Sequence, residues 1–171
     1  MIILPNKGFY FTILVLFFLT VNAFAQFGFD KKTPFCELKV QSEYSVPLEG
    51  KALVLVELIV PPNHHVYLDH LGPDAYSILT EFTLIDAKGM VLKNVTLPKG
   101  EEYENELILK NNGIFKLLLN IETPRKEGSL EKVDIQLRYQ LCDDKSGVCY
   151  APVNLKSEVK LRFSSSSPKL D

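Results

Sequence analysis

The sequence predicts an all-β chain in which short strands, separated by turns, fold as layered antiparallel sheets. Three observations carry that prediction. Two segments near the C-terminus alternate apolar and polar residues with a period of two, the spacing of a strand with one dry face and one wet face. A nearly continuous apolar run, KALVLVELIV over residues 51–60, stops at Pro61-Pro62. Turn residues punctuate the chain between such runs, and no segment offers a good helix. Together these describe an antiparallel β-sandwich of immunoglobulin-like architecture.

The chain begins with Lys7, an apolar run from Phe9 to Leu19 broken only by Thr12, and the small-x-small pattern Ala23-Phe24-Ala25. That layout is a secretory signal peptide, cleaved after Ala25. The run is too short to span a bilayer comfortably, which takes about 20 residues. Residues 1–25 are therefore read as the signal, 26–163 as the sandwich and 164–171 as a polar, mobile tail.

Within the sandwich, ELKVQSEYSV places Leu38, Val40, Tyr44 and Val46 on one face. The run over 51–60 suits a central strand buried on both faces. HHVYL is a short strand, and YSILTEFTLI leads into the turn DAKG, where Gly89 supplies a permissive backbone. NNGIFKLLLNIE starts at an Asn112-Gly113 turn signal and continues as a strand. In EKVDIQLRYQL, Val133, Ile135, Leu137, Tyr139 and Leu141 form the dry face. In NLKSEVKLRF the dry face is Leu155, Val159, Leu161 and Phe163.

Composition narrows the function classes. The net charge of −2 becomes −3 once Lys7 leaves with the signal. That balance argues against a nucleic-acid partner. No second apolar run of membrane length follows the signal, so the mature chain is not expected to span a membrane. Export implies a periplasmic or secreted location, where cysteines can pair.

The chemistry concentrates in YQLCDDKSGVCYAP. Cys142 and Cys149 close a short acidic, glycine-containing loop between the two clearest strands. Alternation puts Cys142 on the wet side of its strand, opposite Leu141. Three readings stay open on the residues alone. A structural staple would contribute about 2–3 kcal/mol. A metal site has weak support, because the spacing is not C-x-x-C and no second ligand pair completes a tetrahedron. An exposed bridge at a sheet rim would be open to thiolate attack. Asp143 and Asp144 disfavour a thiolate and Lys145 favours one, which predicts a moderately reactive cysteine.

The same run resembles the active-site loop of the periplasmic N-terminal domain of DsbD, the thiol:disulfide interchange protein. HHVYLDH resembles that family's aromatic strand. VTLPKGEEYENELILKNNGIFKLLLNI resembles its Leu-Pro-x-Gly segment, acidic loop and following strand. The resemblance covers most of residues 35–163. It implies an immunoglobulin-like sandwich and an exported domain that passes electrons to partner thiol/disulfide proteins without a cofactor. It implies that Cys149 attacks a partner disulfide first and that Cys142 resolves the mixed disulfide. Glu104, Asn105, Glu106 and Leu107 match the segment that caps the cysteines, with Tyr67 and Tyr150 as aromatic neighbours. The sequence departs from the family in having six residues between its cysteines where five are usual. Asn105 and Leu107 stand where the cap carries an acid and an aromatic. The family domain is fused to a membrane electron conduit, so a separate membrane electron donor is the expected partner here.

The remaining signals are weaker. Cys36 reads as a half-buried free thiol, and a bridge to another chain or to Cys142 or Cys149 stays open. His64, His65 and His70 with Asp69 read as surface or turn residues. Two histidines adjacent on a strand point to opposite faces and cannot easily share a metal. Asn94 opens an NVT glycan motif, short enough to occur by chance. The rival to the exchange reading is a non-catalytic exported binding or adaptor sandwich, in which the Cys142–Cys149 disulfide only stiffens a loop.

Overall fold

The computed structural model describes residues 34–167. The predicted signal peptide lies outside the described residues, as do 26–33 and 168–171. The described residues form strands without a helix: β1 (Glu37–Val40), β2 (Glu43–Val46), β3 (Gly50–Ile59), β4 (His64–His70), β5 (Glu81–Ile85), β6 (Met90–Thr96), β7 (Glu101–Tyr103), β8 (Glu106–Lys110), β9 (Asn112–Ile121), β10 (Leu130–Tyr139), β11 (Leu141–Asp143) and β12 (Val153–Phe163).

They assemble as three four-stranded sheets, in the orders β1-β3-β9-β6, β2-β12-β10-β5 and β11-β4-β8-β7. Every ladder is antiparallel except β2 with β12. The first two sheets are the layers of an immunoglobulin-like sandwich, and the third carries the disulfide. The core comes from the predicted dry faces. Val133, Ile135, Leu137 and Tyr139 of β10 are all buried, as are Val159, Leu161 and Phe163 of β12. From the other layer come Ala52, Val54, Val56 and Leu58 of β3 and Phe115, Leu117, Leu119 and Ile121 of β9. Each such valine, leucine, isoleucine or phenylalanine contributes about 1.5–3 kcal/mol when fully buried. Phe82 of β5 meets Phe115 of β9 with ring centroids 4.9 Å apart, joining the two layers.

Several expectations are corrected. β3 is central, but only one of its faces is dry. Leu53 and Leu55 are 39% and 43% exposed on the other face. An antiparallel sheet needs cover on one side only, so an apolar run does not by itself prove burial on both. ELKVQSEYSV is not one strand. It breaks at Gln41-Ser42, so β1 joins one layer and β2 the other. The turn before β9 is made by Asn111, whose φ is 64°. Gly113 lies inside the strand instead, where a Cβ would stand 2.8 Å from Pro98. Gly89, by contrast, takes the left-handed conformation predicted for it, at φ 65°.

The tail is not wholly loose. Ser164 N donates to Val46 O at 2.9 Å, and Ser165 N donates to Glu127 Oε2 at 2.8 Å. The hydroxyls of Ser45 and Ser167 meet at 2.6 Å. Serine-rich sequence reads as mobile only until its hydroxyls and amides find fixed partners.

Candidate functional site

The disulfide sits where the chain changes sheet. β10 ends at Tyr139, and Gln140 is the hinge. Its Oε1 accepts from Ile78 N at 3.4 Å and its Nε2 donates to Tyr150 O at 3.1 Å. β11 then pairs with β4, setting Cys142 opposite His65 and Asp143 opposite His64. The loop turns back through Gly147, at φ 69°. Asp143 N donates to Val148 O at 2.9 Å and Tyr150 N to Leu141 O at 2.8 Å, which completes a small hairpin. Across it, Cys142 and Cys149 are bridge partners joined as a disulfide.

The two sulfurs have unequal surroundings. Cys142 is 1% exposed and Leu141 beside it 2%, whereas Cys149 is exposed. The expected wet position of Cys142 is therefore wrong. Strict alternation fails because the strand breaks at Gln140 and the next residues enter a different sheet, where both neighbours are covered. Cys149 meets the expectation of an open rim.

The loop acids have partners of their own. Asp143 Oδ1 accepts from Lys145 N at 2.8 Å and Ser146 N at 2.9 Å. Those two amides, with a smaller contribution from His64, hold its carboxyl below the usual range. Asp144 Oδ1 lies 2.6 Å from His65 Nδ1. Asp143 is engaged by amides of its own loop and Asp144 by His65 of β4, and neither lines the space next to Cys149. His65 is only 5% exposed, so it is not the surface histidine that was expected. Its ring packs edge-on against Tyr67, with centroids 5.1 Å apart. His70 Nε2 lies 3.1 Å from Ser77 O.

Beside Cys149 opens a cavity of about 360 Å³, lined by Tyr67, Asp74, Tyr76, Tyr103, Glu104, Glu106 and Gln140 among others. The β7–β8 hairpin forms one wall. Its tip, Glu104-Asn105, has both residues at positive φ, 46° and 64°, as a tight two-residue hairpin turn requires. Residues of the loop from Leu71 to Thr80 form another wall. That loop is tied down where Leu71 N donates to Asn105 O at 2.7 Å and Thr80 N donates to Tyr67 O at 2.8 Å. Ser77 N also donates to Glu106 Oε1 at 3.2 Å.

The sequence-predicted residues divide between this cavity and its surroundings. Glu104, Glu106 and Tyr67 reach it. The Tyr67 hydroxyl stands 3.9 Å from Cys149 Sγ. Burial, then the charges of Glu106, Tyr103 and Glu104, raise the Tyr67 phenol above its ordinary range. Asn105 instead supplies the turn, its side chain close to Gly72. Leu107 packs with the core and against Gly100, away from the cavity. Tyr150 turns to His64, with ring centroids 6.1 Å apart. Sequence reasoning missed Tyr103, Asp74 and Tyr76. Tyr103 could have been found: it precedes the two-residue tip and pairs with Glu106 across the hairpin, so the two share a face.

Cys36 is fully buried at 1% exposed and pairs with neither loop cysteine, which corrects the half-buried expectation. Its amide donates to the Tyr139 hydroxyl at 3.0 Å. Burial pushes its thiol up to about 12.

No curated protein matches the chain. Among solved structures, the N-terminal domain of DsbD from Neisseria meningitidis, in the reduced form, is similar with 17% identity and a TM-score of 0.46, over 74% of this chain and 84% of that one. The periplasmic chaperone SfaE is similar with 7% identity and a TM-score of 0.38, over 80% of this chain and 60% of its own. At these identities neither likeness speaks to chemistry. Residues 35–161 match the family described as "Thiol:disulfide interchange protein DsbD, N-terminal". That match spans well over half of the chain and contains both sulfurs of the bridge, so the chain belongs to the DsbD N-terminal family of thiol:disulfide interchange domains.

Proposed function

We propose that this domain passes electrons to exported partner proteins through Cys142 and Cys149. In the reduced state, the Cys149 thiolate attacks a partner disulfide. One partner sulfur leaves as a thiolate and a mixed disulfide forms. Cys142, after losing its proton, attacks Cys149 Sγ. The second partner sulfur leaves, so two electrons have moved to the partner and the Cys142–Cys149 bridge has closed. A separate membrane donor then reduces the bridge again, with no small-molecule cofactor. The setting is the periplasm or another oxidising exported compartment, reached through cleavage after Ala25.

One observation carries this reading: Cys149 is exposed beside an open cavity while its bonded partner Cys142 is buried. Exchange requires access for the incoming sulfur and a second thiol held close to resolve it. Glu104 and Glu106, with Tyr67 and Tyr103, form the surroundings that a partner meets first. Asn105 shapes the hairpin tip beside which Tyr103, Glu104 and Glu106 stand.

Trapping tests the proposal. A Cys142→Ala variant is expected to accumulate mixed disulfides through Cys149 in the exported fraction, detected by non-reducing electrophoresis and mass spectrometry. Capture no greater than that of a variant lacking both cysteines would refute it. The adaptor alternative predicts a bridge that resists glutathione, with a potential below about −300 mV, whereas an exchanging bridge sits higher.

A further inference from the structure

The cavity next to Cys149 has a composition that sulfur exchange alone does not require. Its walls hold three carboxylates, Asp74, Glu104 and Glu106, and three phenol rings, Tyr67, Tyr76 and Tyr103. No lysine or arginine lines it. Tyr76 is 86% exposed and Tyr103 45%, although large rings are usually covered in a domain with this much core. Aromatic rings left open together are enriched where a partner docks.

The three acids are not equivalent. Glu106 is 7% exposed, its Oε1 accepts from Ser77 N at 3.2 Å, and His70 Nε2 stands 3.9 Å away. It already has partners. Asp74, on the loop from Leu71 to Thr80, and Glu104, at the hairpin tip, are both exposed and have no cationic partner among the described residues. The hairpin turn and the backbone bond from Leu71 hold the Glu104 wall in place. At about 360 Å³ the cavity lies at the small end of the ligand-pocket range, about 300–1,000 Å³, with room for one long side chain and little more.

We propose that this cavity is a specificity pocket for a lysine or arginine side chain that the partner carries close to its reactive cysteine. The cation stacks on the tyrosine faces and pairs with Asp74 and Glu104. Ring faces attract cations through their quadrupole, and the flanking carboxylates add charge of the matching sign. An acidic residue at the same place on the partner meets like charge and is rejected, so the pocket discriminates in both directions. This inference rests on the exchange reading and adds the chemistry of the partner.

Short peptides holding one cysteine as a chromogenic mixed disulfide test it, with lysine, norleucine or glutamate two residues from the sulfur. The reduced protein is expected to react about tenfold faster with the lysine peptide than with the glutamate peptide in low salt. That ratio should shrink toward one as salt shortens the screening length below about 10 Å. A D74N/E104Q variant is expected to bring the ratio to about two or less. Glu158→Gln, which removes a charge from β12 outside the cavity, should keep it. If the wild type exchanges with all three peptides at one rate, or if the D74N/E104Q variant keeps the full ratio, the pocket proposal is overturned while exchange stands. If no peptide reacts above the level of a variant lacking Cys142 and Cys149, both readings fall together.

Discussion

Two sulfur–phenol pairs occur among the described residues, and their settings differ. Cys36 lies against Tyr139 inside the sandwich, both almost without exposure, with the Cys36 amide donating to the phenol oxygen. Cys149 lies by Tyr67 at the rim, with an open cavity in front of both. The residue types are the same. What separates them is access to water, which decides whether the thiolate form can exist. In the core pair, burial pushes both the thiol and the phenol up to about 12. At the rim, a partner can reach the sulfur without opening the fold.

The largest expected effect tests this contrast directly. After reduction of the bridge, iodoacetamide should label Cys149 at least about 1,000-fold faster than Cys36, because the buried thiol is both less ionised and enclosed. Mass spectrometry of quenched time points reads the two rates. Comparable labelling would break the contrast.

Alkaline stability sharpens it next. The Cys36 thiol is raised from 9.0 to about 12 in the folded state, so its neutral form is favoured there. A raised folded value means stability that is complete below pH 9 and lost as pH climbs toward 12. Full expression of the shift would be about 4 kcal/mol as an upper bound. Cys36→Ala should flatten the fall in denaturant midpoint between pH 8.5 and 10.5, with exchange activity at neutral pH unchanged. An equally steep fall in the variant would assign the effect elsewhere.

The smallest effect concerns the rim phenol. Tyr67→Phe removes a hydroxyl 3.9 Å from Cys149 Sγ, a long contact to a weak acceptor. Exchange rate is expected to change by about threefold or less, with stability within about 0.5 kcal/mol. A hundredfold loss would give the hydroxyl a direct part in proton transfer.

Much of the fold was legible because β10 and β12 alternate cleanly and each needs only one dry face. The burial of Cys142 was not legible. Alternation carries through a continuous strand, and nothing in YQLC marks Gln140 as a crossing between sheets. Leu53 and Leu55 misled for a related reason: an apolar side chain on an uncovered sheet face costs too little to be excluded. The cysteine loop itself was legible, and so were Tyr67, Glu104 and Glu106. Asp74 and Tyr76 were not, because they reach the cavity from a loop more than sixty residues before the cysteines, and their place depends on backbone bonds to β4 and the hairpin tip. Leu107 lies one residue from Glu106 on β8 and so faces away from the cavity, while the Tyr150 ring sits against His64.

The parallel pairing of β2 with β12 has a consequence for how the domain forms. Glu43 binds Arg162 across 119 residues of sequence, and Ser45 meets Ser167 across 122. One of the earliest strands to be synthesised thus finds its place only against the last. Until β12 is available, one layer lacks its middle, and the polypeptide must wait in an incomplete state. Long-range pairing of this kind places folding on the millisecond-to-second scale rather than in microseconds. The interval leaves hydrophobic edges uncovered, so a newly made chain has its greatest need of protection from aggregation before its final strand arrives.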